Sequence, residues 1–326
     1  MPAILTPLLA VVGIMLLGAL IQKLRLLPPD TDQVLNQYVY YVAFPAIMLI
    51  ALAQTPITEI LQWGFILGYG LAMLITYFSV FWLSLWADPG DKAIAAMRAL
   101  NTSFGNTAFI GIPLLIILFP GQQSALVAAA IASLLSVLMF AVALVSVELA
   151  NPKAKLVHPL MTMFNALVRN PIVIGSLLGV ALSALALPLP AGLALMLQQI
   201  GNTSSPCALF AIGMVLTKAM GRETREGPEA PPALGGRNLA ELGLLNLFKL
   251  VLQPALTLVL LQLLGVTGAY LSMGVLLAAL PTAASVYLLA QRYQVLVGTS
   301  ANTILLGTLL TFISLPLLDY LLKNLN

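Results

Sequence analysis

The chain has 326 residues, of which 60% are hydrophobic and 8% charged, with a formal net charge of +3. Soluble domains carry roughly 25% charged residues, so a water-soluble globule is excluded and a polytopic helical membrane protein remains. The pI near 9.0 does not point to nucleic acid, because the basic residues are dispersed among loops rather than gathered in a stripe. The single cysteine, Cys207, excludes an internal disulfide and any cysteine-based metal cluster. Set in an apolar span, it reads as a small buried hydrophobe.

Apolar runs of about 20 residues mark membrane spans. In chain order they are Ile4–Gln22, Val34–Ala53, Leu61–Trp86, Ile94–Phe119 and Ser124–Leu149, then Pro171–Ala186, Ala191–Lys218, Leu242–Leu264, Ala269–Arg292 and Val295–Leu322. The first run is long enough to span and has no basic region before it, so it does not read as a cleavable leader. The stretch His158–Asn170 alternates apolar and polar residues, as an interfacial amphipathic lead-in does. Gly221–Asn238, rich in Gly, Pro, Glu and Arg, reads as a flexible cytoplasmic linker.

Basic residues set the orientation. Lys23, Arg25, Lys92, Arg98, Lys153, Lys155, Arg169, Lys218, Arg222, Arg225, Arg237 and Arg292 fall on one side, twelve of the fourteen Lys and Arg. The loops on the opposite side, Gln54–Ile60, Pro120–Gln123, Leu187–Pro190 and Gly265–Gly268, contain none. Both termini are therefore expected outside a cytoplasmic (inner) membrane. Five spans in each half give the halves, 1–150 and 151–326, opposite orientations, as an inverted repeat requires. Internal echoes agree: Phe44-Pro45 in span two matches Ser205-Pro206 in span seven, and a break at Gly105–Pro113 in span four matches one at Pro281 in span nine.

Enzymatic constellations are absent from the spans. Every acidic residue lies in a loop or near a span end, so no carboxylate pair is available for acid–base work or for a metal cage. The lone histidine, His158, sits in a loop. No catalytic group, metal site or cofactor is expected. What lies at mid-depth is neutral and polar: Asn101, Thr102, Ser103, Asn106 and Thr107 in span four, Thr282 and Ser285 in span nine, and Asn302 and Thr303 in span ten. Hydrocarbon does not tolerate unpaired backbone, so Gly105, Gly111, Pro113 and Pro281 need protein or a watered cavity around them. A broken span exposes half-helix ends, and N-terminal ends favour an anion. Asn106, beside the break, can grip a carboxylate without burying a charge. Isolated Ser and Thr residues serve equally well to glue helices together. Lys249, about two turns into span eight, either snorkels to the cytoplasmic interface or attracts substrate at the cytoplasmic entrance.

At these residues the chain resembles the auxin efflux carrier family, which includes plant PIN carriers and bacterial permeases for malate or malonate. Asn106-Thr107-Ala108-Phe109-Ile110-Gly111-Ile112-Pro113-Leu114-Leu115 is similar to the family's N-T-x-x-x-G-I-P-L-L crossover motif. Further similarity lies in Phe44-Pro45, in Pro206–Gly213, in Lys249 with Pro254, and in Pro281-Thr282-Ala283 followed by Ala290 and Tyr293. The resemblance implies an all-α fold of ten transmembrane helices in two inverted five-helix repeats, with broken helices 4 and 9 crossing, as in bile-acid symporters and sodium/proton antiporters. Spans 1, 2, 6 and 7 would then form a scaffold, and spans 3–5 and 8–10 a mobile transport domain. Fold relatives are often dimeric through the scaffold, which extends the expectation of a homodimer to this chain.

The expected activity is secondary transport of a small organic anion by elevator-type alternating access. Asn106, with Thr107, Asn101, Thr282 and Ser285 around it, would bind the carboxylate, while Pro113 and Pro281 hold the crossover open. The alternatives are a sodium-coupled symporter of the bile-acid type, a channel, or a membrane receptor. A channel would show pore-lining repeats or rings of charge, which the sequence lacks. The orientation is testable: tags at both termini should react from outside intact cells, and the Gly221–Asn238 linker should be cleaved only after the membrane is opened. A linker cleaved from outside would overturn the assignment.

Overall fold

The computed structural model describes residues 2–150, 161, 168–222 and 236–325. The expected lead-in at His158–Asn170 and the linker at Gly221–Asn238 lie largely outside them. The described chain is all-helical, with no strand. In order, the helices are α1 Pro2–Leu24, α2 Thr31–Tyr38, α3 Phe44–Ala53, the single turn α4 Ile57–Ile60, α5 Trp63–Ala87, α6 Lys92–Ser103, α7 Ile112–Leu118 and α8 Gln123–Ala150. They continue as α9 Pro171–Ala184, α10 Ala191–Asn202, α11 Ser204–Arg222, α12 Gly236–Leu247, α13 Gln253–Leu263, α14 Gly268–Ala278, α15 Ala284–Tyr293 and α16 Val297–Leu325.

Among the described residues, five helical stretches are long and apolar enough to cross a bilayer: Thr31–Ala53, Ile57–Ala87, Gln123–Ala150, Leu239–Leu263 and Val297–Lys323. Shorter apolar helices are Leu9–Leu24, Thr107–Leu118, Pro171–Ala184 and Gly268–Ala278. The outer faces are apolar too. Leu16, Leu17 and Leu20 on α1, and Phe78, Trp82 and Trp86 on α5, are exposed. Surface of that kind suits lipid rather than water.

Capping explains where some helices begin. Asp91 Oδ1 accepts from Ile94 N at 3.0 Å and starts α6. Asn170 Oδ1 accepts from Ile172 N at 3.0 Å, with Pro171 at the first helical position of α9. Three helices widen into a π turn, at Val39–Ala43, Thr107–Gly111 and Phe248–Leu252. Each turn ends two residues before a proline, namely Pro45, Pro113 and Pro254. The cause is common to all three. Proline has no N–H, and its ring collides with the carbonyl four residues back, a clash that one extra residue in the turn relieves.

The chain divides into two compact units. Unit 1 comprises Met1–Gln62, Ala108–Ser133 and Val168–Pro231; unit 2 comprises Trp63–Thr107, Leu134–Leu167 and Pro232–Asn326. In unit 1, α1 packs on α11, and α3 on α9 and α10. The first contact is backbone against backbone. A Cβ on Gly18 would stand 2.1 Å from Phe210 O, and one on Gly213 would stand 1.9 Å from Met15 O. Gly175 and Gly179, one turn apart on α9, admit Pro45 O and Leu49 O in the same way, at 2.6 and 2.7 Å from the missing Cβ atoms. Small residues at this spacing are how apolar helices approach closely in lipid, where no hydrophobic drive holds them together. Phe109 stacks on Tyr40 with ring centroids 6.5 Å apart, and Lys218 Nζ ties α11 to Asp32 and to Pro29 O.

In unit 2, α5 packs on α6 and α13, α13 on α14, and α16 on α12 and α15. Arg98 on α6 donates through Nε to Glu241 Oε1 at 2.7 Å and through Nη1 to Asp88 Oδ2 at 2.7 Å and Ser84 Oγ at 2.9 Å. One guanidinium thus joins three helices, using the fork geometry that lysine lacks.

Glycine substitutions separate packing from propensity. Gly213→Ala should lower stability by about 1–3 kcal/mol through overpacking. Gly243→Ala, with nothing within 4 Å of the new methyl, should raise it by up to about 1 kcal/mol. Thermal unfolding of the purified protein in detergent reads both. Equal shifts would contradict the close backbone contact.

Candidate substrate site at the crossed helix breaks

α6 ends at Ser103 and α14 at Ala278, and the segments that follow meet each other. Gly105 and Thr282 form an isolated antiparallel bridge. Asn106 N donates to Pro281 O at 2.9 Å, and Ala283 N donates to Phe104 O at 3.2 Å. The bridge supplies partners for backbone that has left its helix, the requirement hydrocarbon imposes.

The last carbonyls of each helix need partners as well. On α6, Leu100 O accepts from Phe104 N at 3.0 Å, Asn101 O from Thr282 Oγ1 at 2.6 Å, and Ser103 O from Gln253 Nε2 at 3.1 Å. On α14, Val275 O accepts from Ala279 N at 3.0 Å, and Ala278 O accepts from Lys249 Nζ at 2.6 Å. Lys249 Nζ also donates to Gln253 Oε1 at 2.6 Å. The Lys249–Gln253 pair therefore caps both helices at once. A helix C-terminus carries about half a negative charge, so two of them here amount to roughly one, matched by one ammonium. Lys249 is 0% exposed and its ammonium is bonded within the protein, so it does not snorkel.

Gly105 is glycine because of that ammonium. A Cβ there would stand 3.3 Å from Lys249 Nζ, 3.6 Å from Leu277 O and 3.6 Å from Leu280 Cβ. Pro281 adjoins the break directly. Pro113 does not: the helical path resumes at Thr107, and Pro113 is the second residue of α7, beyond the π turn that Gly111 closes.

The polar residues singled out from the sequence divide into two groups. Asn101, Thr102, Ser103, Thr107 and Thr282 are buried and serve the scaffold of the break. Asn101 Nδ2 donates to Met97 O at 2.8 Å and Ser300 Oγ at 3.0 Å. Thr102 and Ser103 hydroxyls return to Ala99 O at 2.9 and 2.8 Å. Thr107 Oγ1 lies 3.5 Å from Ser136 Oγ. Asn106 and Ser285 are only half-buried. Ser285 sits in the first turn of α15, where the amides of Ala284 and Ser285 have no acceptor within the helix. Asn106 and Ser285 are the polar side chains of the breaks that protein does not fully enclose.

Sequence reasoning missed Gln253, Ser300 and Gly307. Gln253, a buried amide four residues after Lys249, was visible as a polar interruption in an apolar run. Gly307 was not: its role is to leave room for Asn246 Oδ1, which a Cβ would meet at 2.5 Å.

Lys249→Met should cost about 1–3 kcal/mol, since it strips Ala278 O of its donor and leaves the converging carbonyl ends without a cation. Gly105→Val, crowding the same ammonium, should destabilise in the same direction. Thermal unfolding of Lys249→Met at the wild-type temperature would show that the cap contributes nothing.

The profile of the family described as Membrane transport protein matches residues 3–318. A protein of Rhizobium meliloti (strain 1021) named "Putative malonate transporter" is 29% identical over 317 residues, covering 96% of this chain and 93% of that one. The chain belongs to the membrane transport protein family, the auxin efflux carrier family whose motif it carries from Asn106 to Leu115.

Proposed function

We propose that the protein is a secondary carrier of a small organic anion, a short dicarboxylate such as malonate, working by elevator-type alternating access in the cytoplasmic membrane. In this reading ten spans form two inverted five-helix repeats, both termini face outward, and the crossed breaks hold the substrate. The observation that carries it is local. Of the polar residues in the two breaks, only Asn106 and Ser285 are not enclosed by protein, and Ser285 stands at a helix N-terminus. An amide donor in one break and a helix N-terminus opening from the break bridged to it would together suit a carboxylate. The relative named for malonate transport supports the choice of substrate.

Sodium coupling fits less well. Half-helix C-terminal carbonyls are the usual sodium ligands in carriers of broken helices, and those of Ser103 and Ala278 already accept from Gln253 and Lys249. A tethered cation holds the place a free one would need.

Counterflow of labelled malonate in proteoliposomes tests the proposal, because a carrier exchanges and a receptor does not. Asn106→Ala should weaken the substrate by about 1.5–3 kcal/mol for a charge-assisted bond, roughly 10- to 150-fold in affinity. Ser285→Ala should weaken it less, since the backbone amide remains. An Asn106→Ala protein that folds and exchanges malonate with unchanged half-saturation would remove the crossover from substrate binding.

A further inference from the structure

Unit 1 contains a cavity of about 370 Å³ that the crossover does not use. It is lined by Gln54 at the end of α3, Gln122 and Gln123 at the start of α8, Gln198 and Asn202 on α10, and Ser205 on α11. The remaining wall is aliphatic apart from Phe119, and no acidic or basic residue lines it. Five side-chain amides from three regions of the chain therefore converge on one small space with an apolar floor.

All five amide residues are exposed, so they are solvated until a ligand displaces that water. Among the described residues, the side chains of Gln54, Gln122, Gln198 and Asn202 make no hydrogen bond, while Gln123 Oε1 accepts from Thr55 Oγ1 at 3.3 Å, leaving its amine available. Ser205 is 5% exposed and its hydroxyl is without a partner. Pro206 follows it and has no N–H, so Asn202 O lacks the donor that a helix would supply. The Ser205-Pro206 motif thus places an unpaired hydroxyl in the wall of a cavity. Of the polar lining, the Ser205 hydroxyl is both buried and unpaired, and such a group costs free energy until something hydrogen-bonds to it.

We infer that this cavity is a second binding site, for a small organic acid, held by side-chain amides rather than by a charged residue. The amide N–H groups take carboxylate oxygens, the amide carbonyls take a hydroxyl or the proton of a half-ionised acid, and the aliphatic wall takes the short carbon spine. Its volume admits an acid of a few carbons together with water. Without a cation in the lining, binding is weaker than at an arginine and release correspondingly easy. The choice of acid rests on the malonate reading of the crossover; the existence of the site does not.

The single native thiol makes the test direct. In a Cys207→Ser background, Gln198→Cys places a thiol on the cavity wall of the full-length protein, and its alkylation rate is followed with malonate, acetate or succinate added. At four times the dissociation constant, occupancy alone should slow alkylation roughly five-fold. A thiol introduced by Gln294→Cys, in an exposed turn of unit 2, should be unaffected. Protection should survive Asn106→Ala and disappear with Gln54→Leu or Asn202→Leu, whose folding is checked by thermal unfolding. Protection in a protein that exchanges no malonate would uphold the cavity and sink the transport reading alone. No protection by any of the three acids, or protection abolished by Asn106→Ala, would overturn the inference.

Discussion

A helix that stops inside a protein leaves carbonyls that water cannot reach, and this chain stops two of them in the same buried place. The structure depends on the answer to that constraint. Lys249 and Gln253, one turn apart, donate to the last carbonyls of α6 and α14, and the two breaks supply the remaining donors to each other. Much of the local sequence follows from this arrangement. Gly105 leaves the ammonium its room, Thr282 Oγ1 reaches Asn101 O, and Asn101, Thr102, Ser103 and Thr107 bond within the same buried scaffold. Asn106 and Ser285 are the polar side chains of the breaks left half-buried.

The prolines of the spans act by a related rule. At Pro45, Pro113 and Pro254 the helix continues but accommodates the missing donor with a wider turn just upstream. At Pro281 the helix does not continue, because a facing strand-like segment is there to accept the released backbone. Proline alone does not determine which outcome occurs; the presence of a partner for the freed groups does.

Much of this was legible in the sequence, and the remainder was hidden for definite reasons. Apolar length located the helices, and the polar run around Asn106 located the first break. The sequence also paired it with Pro281. It placed the far side of the first break too late, at Pro113, because a π turn is indistinguishable from a gap when only proline and glycine are read. Lys249 was legible as an anomaly, yet its direction was not: periodicity places a residue on a helix face, and only the folded chain says that the face looks onto two carbonyl ends. Asn101 and Thr282 looked like ligand groups because composition does not distinguish a polar residue that binds substrate from one that serves a backbone. The amide cavity was invisible for a simpler reason, since its lining comes from residues far apart in the chain that are unremarkable singly.

The paired glycines of α1 and α11 act on motion as well as on packing. Gly18 and Gly213 are notches, each shaped to receive one carbonyl from the opposite helix. A contact made of interlocking side chains can creep, because rotamers adjust a little at a time. A contact made of backbone in a notch has less slack, since a carbonyl has no rotamers to adjust. Sliding the pair would carry each carbonyl out of the space its glycine leaves for it. The two helices form a single strut, and any displacement within unit 1 has to run along its other seams.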